Sequence, residues 1–252
     1  MRKKVTRLLI FAIVLLGIAL NSRAEDDRNE LIEAAKEGNY KLCKKLIENE
    51  YDVNKKDELG NTALIMAAEG GRLEIVKLLI SNGAKINEKD DSNYSALTFA
   101  ASNNFPEVAK YLIEHGANIH DKAFALAPTF LMWAARNGHV DIVKLLVQKG
   151  DDVNATDDEG NTALMEIAKS GADEMAKILI ENGANVNAIN KNGSTALMEA
   201  VSVGKIDIVT LLLDNNVDIN FKNSLNFNAL SLAKKKGYDK IINLLKGRGA
   251  KD

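Results

Sequence analysis

The sequence predicts an all-α solenoid of about seven stacked helix-turn-helix units joined by hairpin-like turns. Three observations carry that expectation. A phrase recurs with small edits, as "LGNTALIMAAEGG" at 59–71, "DEGNTALMEIAKSG" at 158–171 and "NGSTALMEAVSVG" at 192–204. The leucine inside each copy keeps register: Leu31, Leu64, Leu97, Leu131, Leu164, Leu197 and Leu230 are 33 residues apart at every step but the 34 between Leu97 and Leu131. The 252 residues are 46% hydrophobic with only two prolines, enough to bury a long continuous core and too ordered in pattern for a disordered linker.

Each unit is built from a polar turn and two helices. Residues 55–87 serve as the example. In "KKDELGN" the glycine, Gly60, can take positive φ, and Thr62 is placed to accept a backbone N–H at the start of a short first helix. Leu64, Ala67 and Ala68 follow on one face, and Gly70 and Gly71 end that helix. "RLEIVKLLISNG" makes the second helix, with Leu73, Val76, Leu79 and Ile80 expected inside and Gly83 as its left-handed terminator. The small alanines of the first helix allow its neighbours to approach closely.

The N-terminus is written differently. A basic "MRKKVTR" precedes an unbroken apolar run from Leu8 to Leu20, then "NSRA" and the acidic "EDD". This is the layout of a secretory signal peptide over residues 1–24, cleaved after Ala24. An uncleaved anchor is the alternative, but thirteen apolar residues rise only about 20 Å as a helix against a hydrocarbon core of roughly 30 Å. Either way the folded part is exported, to a periplasm first and to the medium as the alternative, with no stable membrane span after cleavage. No cysteine follows the apolar run, so a lipoprotein anchor is not expected.

Cleavage removes five of the 33 basic residues and none of the 35 acids, so the mature chain carries a formal charge of −7. An acidic surface without a basic, aromatic-laced stripe repels phosphate backbones, which argues against nucleic acid as a partner. The single cysteine, Cys43, cannot form an internal disulfide, so packing must stabilise this exported chain. The register places Cys43 at the position of Val76 and Val143, on the buried side of a second helix, where a thiol is shielded and its pKa raised.

The repeating phrase resembles the ankyrin repeat, whose pattern runs roughly D-x-x-G-x-T-P-L-H-x-A-A-x-x-G-x-x-x-I-V-x-x-L-L-x-x-G-A-x-x-N. "DEGNTALMEIAKSGADEMAKILIENGANVN" at 158–187 carries it almost in full, and the resemblance covers nearly all of residues 25–252. The departures are consistent: Ala63, Ala96, Ala163 and Ala196 stand at the family's proline, and isoleucine, threonine, methionine or serine at its histidine. The resulting division is an N-terminal cap over 25–54, repeats 55–87, 88–120, 121–154, 155–187 and 188–220, and a C-terminal cap over 221–252. The caps are more polar, with Lys45 where Leu78 stands in the next repeat and a lysine-rich last unit.

Catalytic signals are absent. His115, His120 and His139 accompany no legible nucleophile and orienting carboxylate, and no C-x-x-C or H-E-x-x-H spacing occurs, so no cofactor or metal is expected. The resemblance implies a non-catalytic, monomeric scaffold that docks a partner protein on its concave face, in the periplasm or cell envelope. The alternative is a secreted effector or toxin-antagonist. Two features suggest where the partner sits. The extra residue of the 34-residue step falls in "DKAFALAP" (121–128), an apolar turn tip with Phe124 and Leu126. Two residues after the helix leucine, successive repeats carry Met66, Phe99 and Trp133, then Glu166 and Glu199. Two helical steps turn about 200°, so these side chains are expected to point away from the core stripe and form an apolar ridge bordered by Tyr94 and an acidic stretch.

Overall fold

In a computed structural model of the chain, residues 29–120 and 129–251 are described, and they form the expected helical solenoid. The residues predicted as a signal peptide, and Phe124 and Leu126, lie outside the described residues. The chain divides into two compact units, meeting at Ala117 and Asn118. The first unit contains α1 (29–37), α2 (Tyr40–Glu48), α3 (Ala63–Glu69), α4 (Leu73–Ser81), α5 (Ala96–Ser102) and α6 (Pro106–Glu114). The second contains α7 (Phe130–Asn137), α8 (Val140–Gln148), α9 (Ala163–Ser170), α10 (Asp173–Glu181), α11 (Ala196–Ser202), α12 (Ile206–Leu213), α13 (Ala229–Lys236) and α14 (Asp239–Gly247). Within each unit odd-numbered helices pack on odd, even on even, and each pair on itself.

The recurring phrase builds the start of the odd helices. Thr62 Oγ1 accepts from the Ile65 N–H at 3.2 Å, and Ser95, Thr129, Thr162, Thr195 and Asn228 make the same cap in their repeats. For helices of seven or eight residues, too short to stand alone in water, a cap worth about 1 kcal/mol matters. The turn before the cap is held by Asp57, whose Oδ1 accepts from the backbone of Leu59 and Asn61, both at 2.8 Å. Gly60 closes that turn at φ +78°, and a Cβ there would lie 2.6 Å from Asp91 Oδ1 in the next turn. Glycine is therefore required twice over, by backbone conformation and by space.

Alanines form the seam between odd helices. Ala67, Ala68, Ala100 and Ala101 are buried in the first unit, and Ala134, Ala135, Ala168 and Ala200 in the second. On α4 the inward stripe is Ile75, Val76 and Leu79, whereas Leu73 and Ile80, expected inside, are half-buried. The face is rotated because an even helix has packed neighbours on one broad side only, so residues at its flank keep part of their surface in solvent.

The exits of successive repeats are laced by asparagine. Asn54 donates from Nδ2 to the Gly83 carbonyl at 3.0 Å and accepts at Oδ1 from the Lys85 N–H at 2.7 Å. Asn154 repeats both bonds with Gly183 and Asn185, and Asn187 with Asn216 and Asp218. One joint departs from the rule. His120 occupies the asparagine position, and Asp151 occupies a site where other repeats place the buried Ala84, Ala117 and Ala184. His120 Nδ1 lies 3.8 Å from Asp151 Oδ1, and the Asp151 side chain is 5% exposed. Oδ1 accepts from the Asp152 N–H at 3.0 Å, while the buried Oδ2 has no hydrogen-bond partner. Burial raises the Asp151 pKa above the usual carboxylate range, with the Asp152 hydrogen bond and the nearby His120 acting the other way.

Candidate functional site

The position two residues after each helix leucine is not an outward ridge. Met66, Trp133 and Glu166 are all buried, and Phe99 and Glu199 are half-buried. The helical-wheel expectation is corrected for a geometric reason. A first helix has another first helix on each flank and its own second helix behind, so every residue from Ala63 to Ala68 of α3 is buried. Only one narrow edge and the helix ends remain open. Nor does burial exclude glutamate at this position when cations meet it.

In the first unit, Tyr94 and Phe99 pack edge to face, with ring centroids 5.9 Å apart and planes at 76°, and both stay half-buried. In the second unit, the indole of Trp133 sits against the His139 ring at 5.1 Å. His139 stands at the N-cap of α8, so this contact ties α7 to the start of its own partner helix.

Beside Trp133 runs a ladder of charge that crosses three repeats of the second unit. Arg136 Nε lies 3.0 Å from Glu166 Oε2, Lys169 Nζ lies 3.4 Å from Glu166 Oε1, and the same Nζ lies 4.0 Å from Glu199 Oε2. Glu166 on α9 is thus clamped by a cation from the preceding repeat and one from its own helix. Glu199 on α11 continues the alternation. Arg136 and Lys169 escaped the sequence reading, although a cation three residues after the marked position in one repeat and a glutamate 30 residues on in the next are legible signals once the 33-residue register is known. The arginine, with 55% of its side chain in solvent, and the partly exposed lysine present donors outward while their carboxylates hold them in place. Such an array can grip polar and acidic groups of a protein surface without first ordering its own side chains.

Groups suited to covalent chemistry are engaged structurally. Cys43 is fully buried, and burial pushes its thiol up to about 11, which leaves it protonated and unreactive at neutral pH. The His115 ring stacks on Tyr111 with centroids 3.9 Å apart, its Nδ1 2.8 Å from the Tyr111 carbonyl oxygen. Among the described residues no group of three or more His, Cys, Asp or Glu could hold a metal ion, and no helix is long and apolar enough to cross a membrane.

Known proteins agree with this architecture. The family model for three copies of the ankyrin repeat matches residues 31–123, 125–190 and 185–251. Among solved structures, an ankyrin repeat domain from Acinetobacter baumannii AYE is 33% identical with a TM-score of 0.68, over 75% of this chain and 98% of that one. A chain in the complex of the predatory endopeptidase Bd0816 of Bdellovibrio bacteriovorus with immunity protein Bd3460 is 34% identical with a TM-score of 0.64, over 74% of this chain and 98% of that one. No curated protein matches. With the repeat register, the capped first helices and the family match in accord along almost the whole described length, the chain belongs to the ankyrin-repeat family.

Proposed function

We propose that this protein is an exported, non-catalytic docking module that holds one folded protein partner on the first-helix face of its second unit. Ankyrin repeats mediate protein–protein binding. The observation that carries the finer reading is the Arg136–Glu166–Lys169–Glu199 ladder, a pre-positioned row of charge at the open edge of α7, α9 and α11. The basic-apolar-polar opening of the sequence supports export, with the periplasm or cell envelope as the working compartment.

A second reading has its own support. Similarity to a chain from an endopeptidase–immunity protein complex favours an antagonist that binds and restrains an exported enzyme, rather than an adaptor joining two proteins. The two readings share one surface and differ in what the partner does once bound.

Immobilised protein, exposed to the envelope fraction of its own cells, tests both. The expected result is a retained partner that is released when Arg136→Gln and Lys169→Gln are introduced, with the melting temperature followed alongside. If the partner is a hydrolase whose turnover stops on binding, the antagonist reading stands. Retention unchanged by both substitutions, or a turnover by this protein itself that one point substitution abolishes, would sink the docking assignment.

A further inference from the structure

The terminal repeat reverses the sign of the chain. Residues 118–220 carry 8 basic and 15 acidic residues, whereas residues 221–252 carry 8 basic and 2 acidic, a swing from −7 to +6. Charge of either sign solvates a repeat, and an otherwise acidic chain gains nothing in solubility from one basic repeat.

Comparison with the repeats before it shows that this is not the local preference of the fold. Lys234 stands where α7, α9 and α11 bury Ala135, Ala168 and Val201. Lys240, in the first turn of α14, stands where the earlier second helices carry Glu74, Glu107, Asp141, Glu174 and Asp207. Those acids suit the positive end of a helix dipole, and a lysine there works against it. Lys251 stands where Asp218 and Asn185 are found. Lys234, Lys235, Lys236 and Lys240 crowd around the turn at Gly237 and are all exposed.

The charge ladder explains what is missing. Each cation at the open edge of a first helix meets the glutamate 30 residues further on: Arg136 meets Glu166, and Lys169 meets Glu199. Lys235 occupies the same place in α13, and among the described residues no carboxylate forms an ion pair with it. Its Nζ sits instead over the Phe227 ring, 5.0 Å from the centroid. In the turn that leads into the same helix, Leu225 is 74% exposed. A cation without a carboxylate, an aromatic ring beneath it and an open leucine in the same repeat have the composition of a docking site that lacks its acidic half.

We infer that the C-terminal repeat binds an acidic protein segment, whose carboxylates take the place at Lys235 that Glu166 and Glu199 take in the repeats before, and whose apolar side chain rests on Leu225 and Phe227. This rests on the docking function proposed above and names the chemistry of the partner. Charge complementarity selects the occupant. A second copy, whose residues 25–220 are net acidic, and an anionic lipid surface are the competing occupants that the test separates.

The probe is a fluorescent 16-residue peptide of alternating glutamate and leucine-spaced glycine, with a lysine version as control. Binding to the full protein is expected for the acidic peptide alone, weakening about tenfold between low and physiological salt as screening sets in. Lys235→Gln/Lys236→Gln/Lys240→Gln should abolish it, and Leu225→Ser should weaken it several-fold. Lys41→Gln/Lys44→Gln/Lys45→Gln, in the first repeat, should leave it unchanged, and melting curves should show both triple variants folded. Equal binding by the two triple variants, or no binding of the acidic peptide, overturns the inference. So does salt-sensitive self-association without peptide, or sedimentation with phosphatidylglycerol vesicles in preference to peptide. A native partner that is released by Arg136→Gln but held by the lysine variants would leave the docking function intact and refute this inference alone.

Discussion

Replacing Asp151 by alanine should make the protein more stable, although the substitution removes a carboxylate that lies beside the His120 ring. The carboxylate is 5% exposed, Oδ2 faces no donor, and Oδ1 receives one backbone hydrogen bond and an imidazole at 3.8 Å from a side chain that is 69% exposed. A buried acceptor left unsatisfied costs about 1–3 kcal/mol, whereas an ion pair with so exposed a partner returns less than 1 kcal/mol. Alanine fits, because Ala84, Ala117 and Ala184 fill the corresponding sites, and the Asp152 N–H it releases belongs to an exposed residue that water can satisfy. The net gain at pH 8 should be about 1–2 kcal/mol, or roughly 3–6 °C in melting temperature for a chain of this size. The sign of the pH dependence follows from the raised pKa of Asp151. Folded protein holds this proton more tightly than unfolded protein, so the stability it contributes is complete below the unfolded carboxylate range and is lost as pH rises through the folded value. The advantage of Asp151→Ala should therefore be small near pH 4 and grow toward pH 8. His120→Asn, which restores the amide found in the other repeats, should keep this pH dependence, because burial of Asp151 is its largest cause. Denaturant unfolding of the three proteins across pH 4–8 measures this. A destabilised alanine variant at every pH, or identical pH profiles for wild type and Asp151→Ala, would refute the reasoning.

Three further outcomes are expected. Trp133→Ala should cost about 3–5 kcal/mol of stability by opening a cavity beside His139, read by urea denaturation; partner binding lost with an unchanged midpoint would instead mark Trp133 as a contact residue. Cys43 should resist a thiol reagent in the native state at pH 8 and react at once in denaturant, and rapid native labelling would contradict its burial and raised pKa. The exported protein should begin at Glu25, which intact mass decides, and retention of residues 1–24 would favour the anchor.

Much of this was legible before any coordinates. A register of 33 residues, a threonine, serine or asparagine placed to cap the first helices from α3 to α13, and glycines at the turns determine the helices, their order and the solenoid, because each is a local demand of backbone geometry that recurs along the chain. The burial of Cys43 followed from register alone. What the linear pattern misjudged was which sides of a first helix remain open. A helical wheel treats the helix as having one buried face, and by that arithmetic Met66, Trp133 and Glu166 pointed to solvent. Stacking encloses both flanks, so these residues are inside, and the accessible chemistry passes to Arg136 and Lys169 at the edge. The ion-pair ladder, the unsatisfied oxygen of Asp151 and the lone cation at Lys235 were likewise decided only in three dimensions. The ladder and the Asp151 joint depend on side chains about 30 residues apart meeting across a repeat boundary, and Lys235 on the Phe227 ring of its own repeat, and a single repeat's sequence states the spacing without stating which atoms arrive.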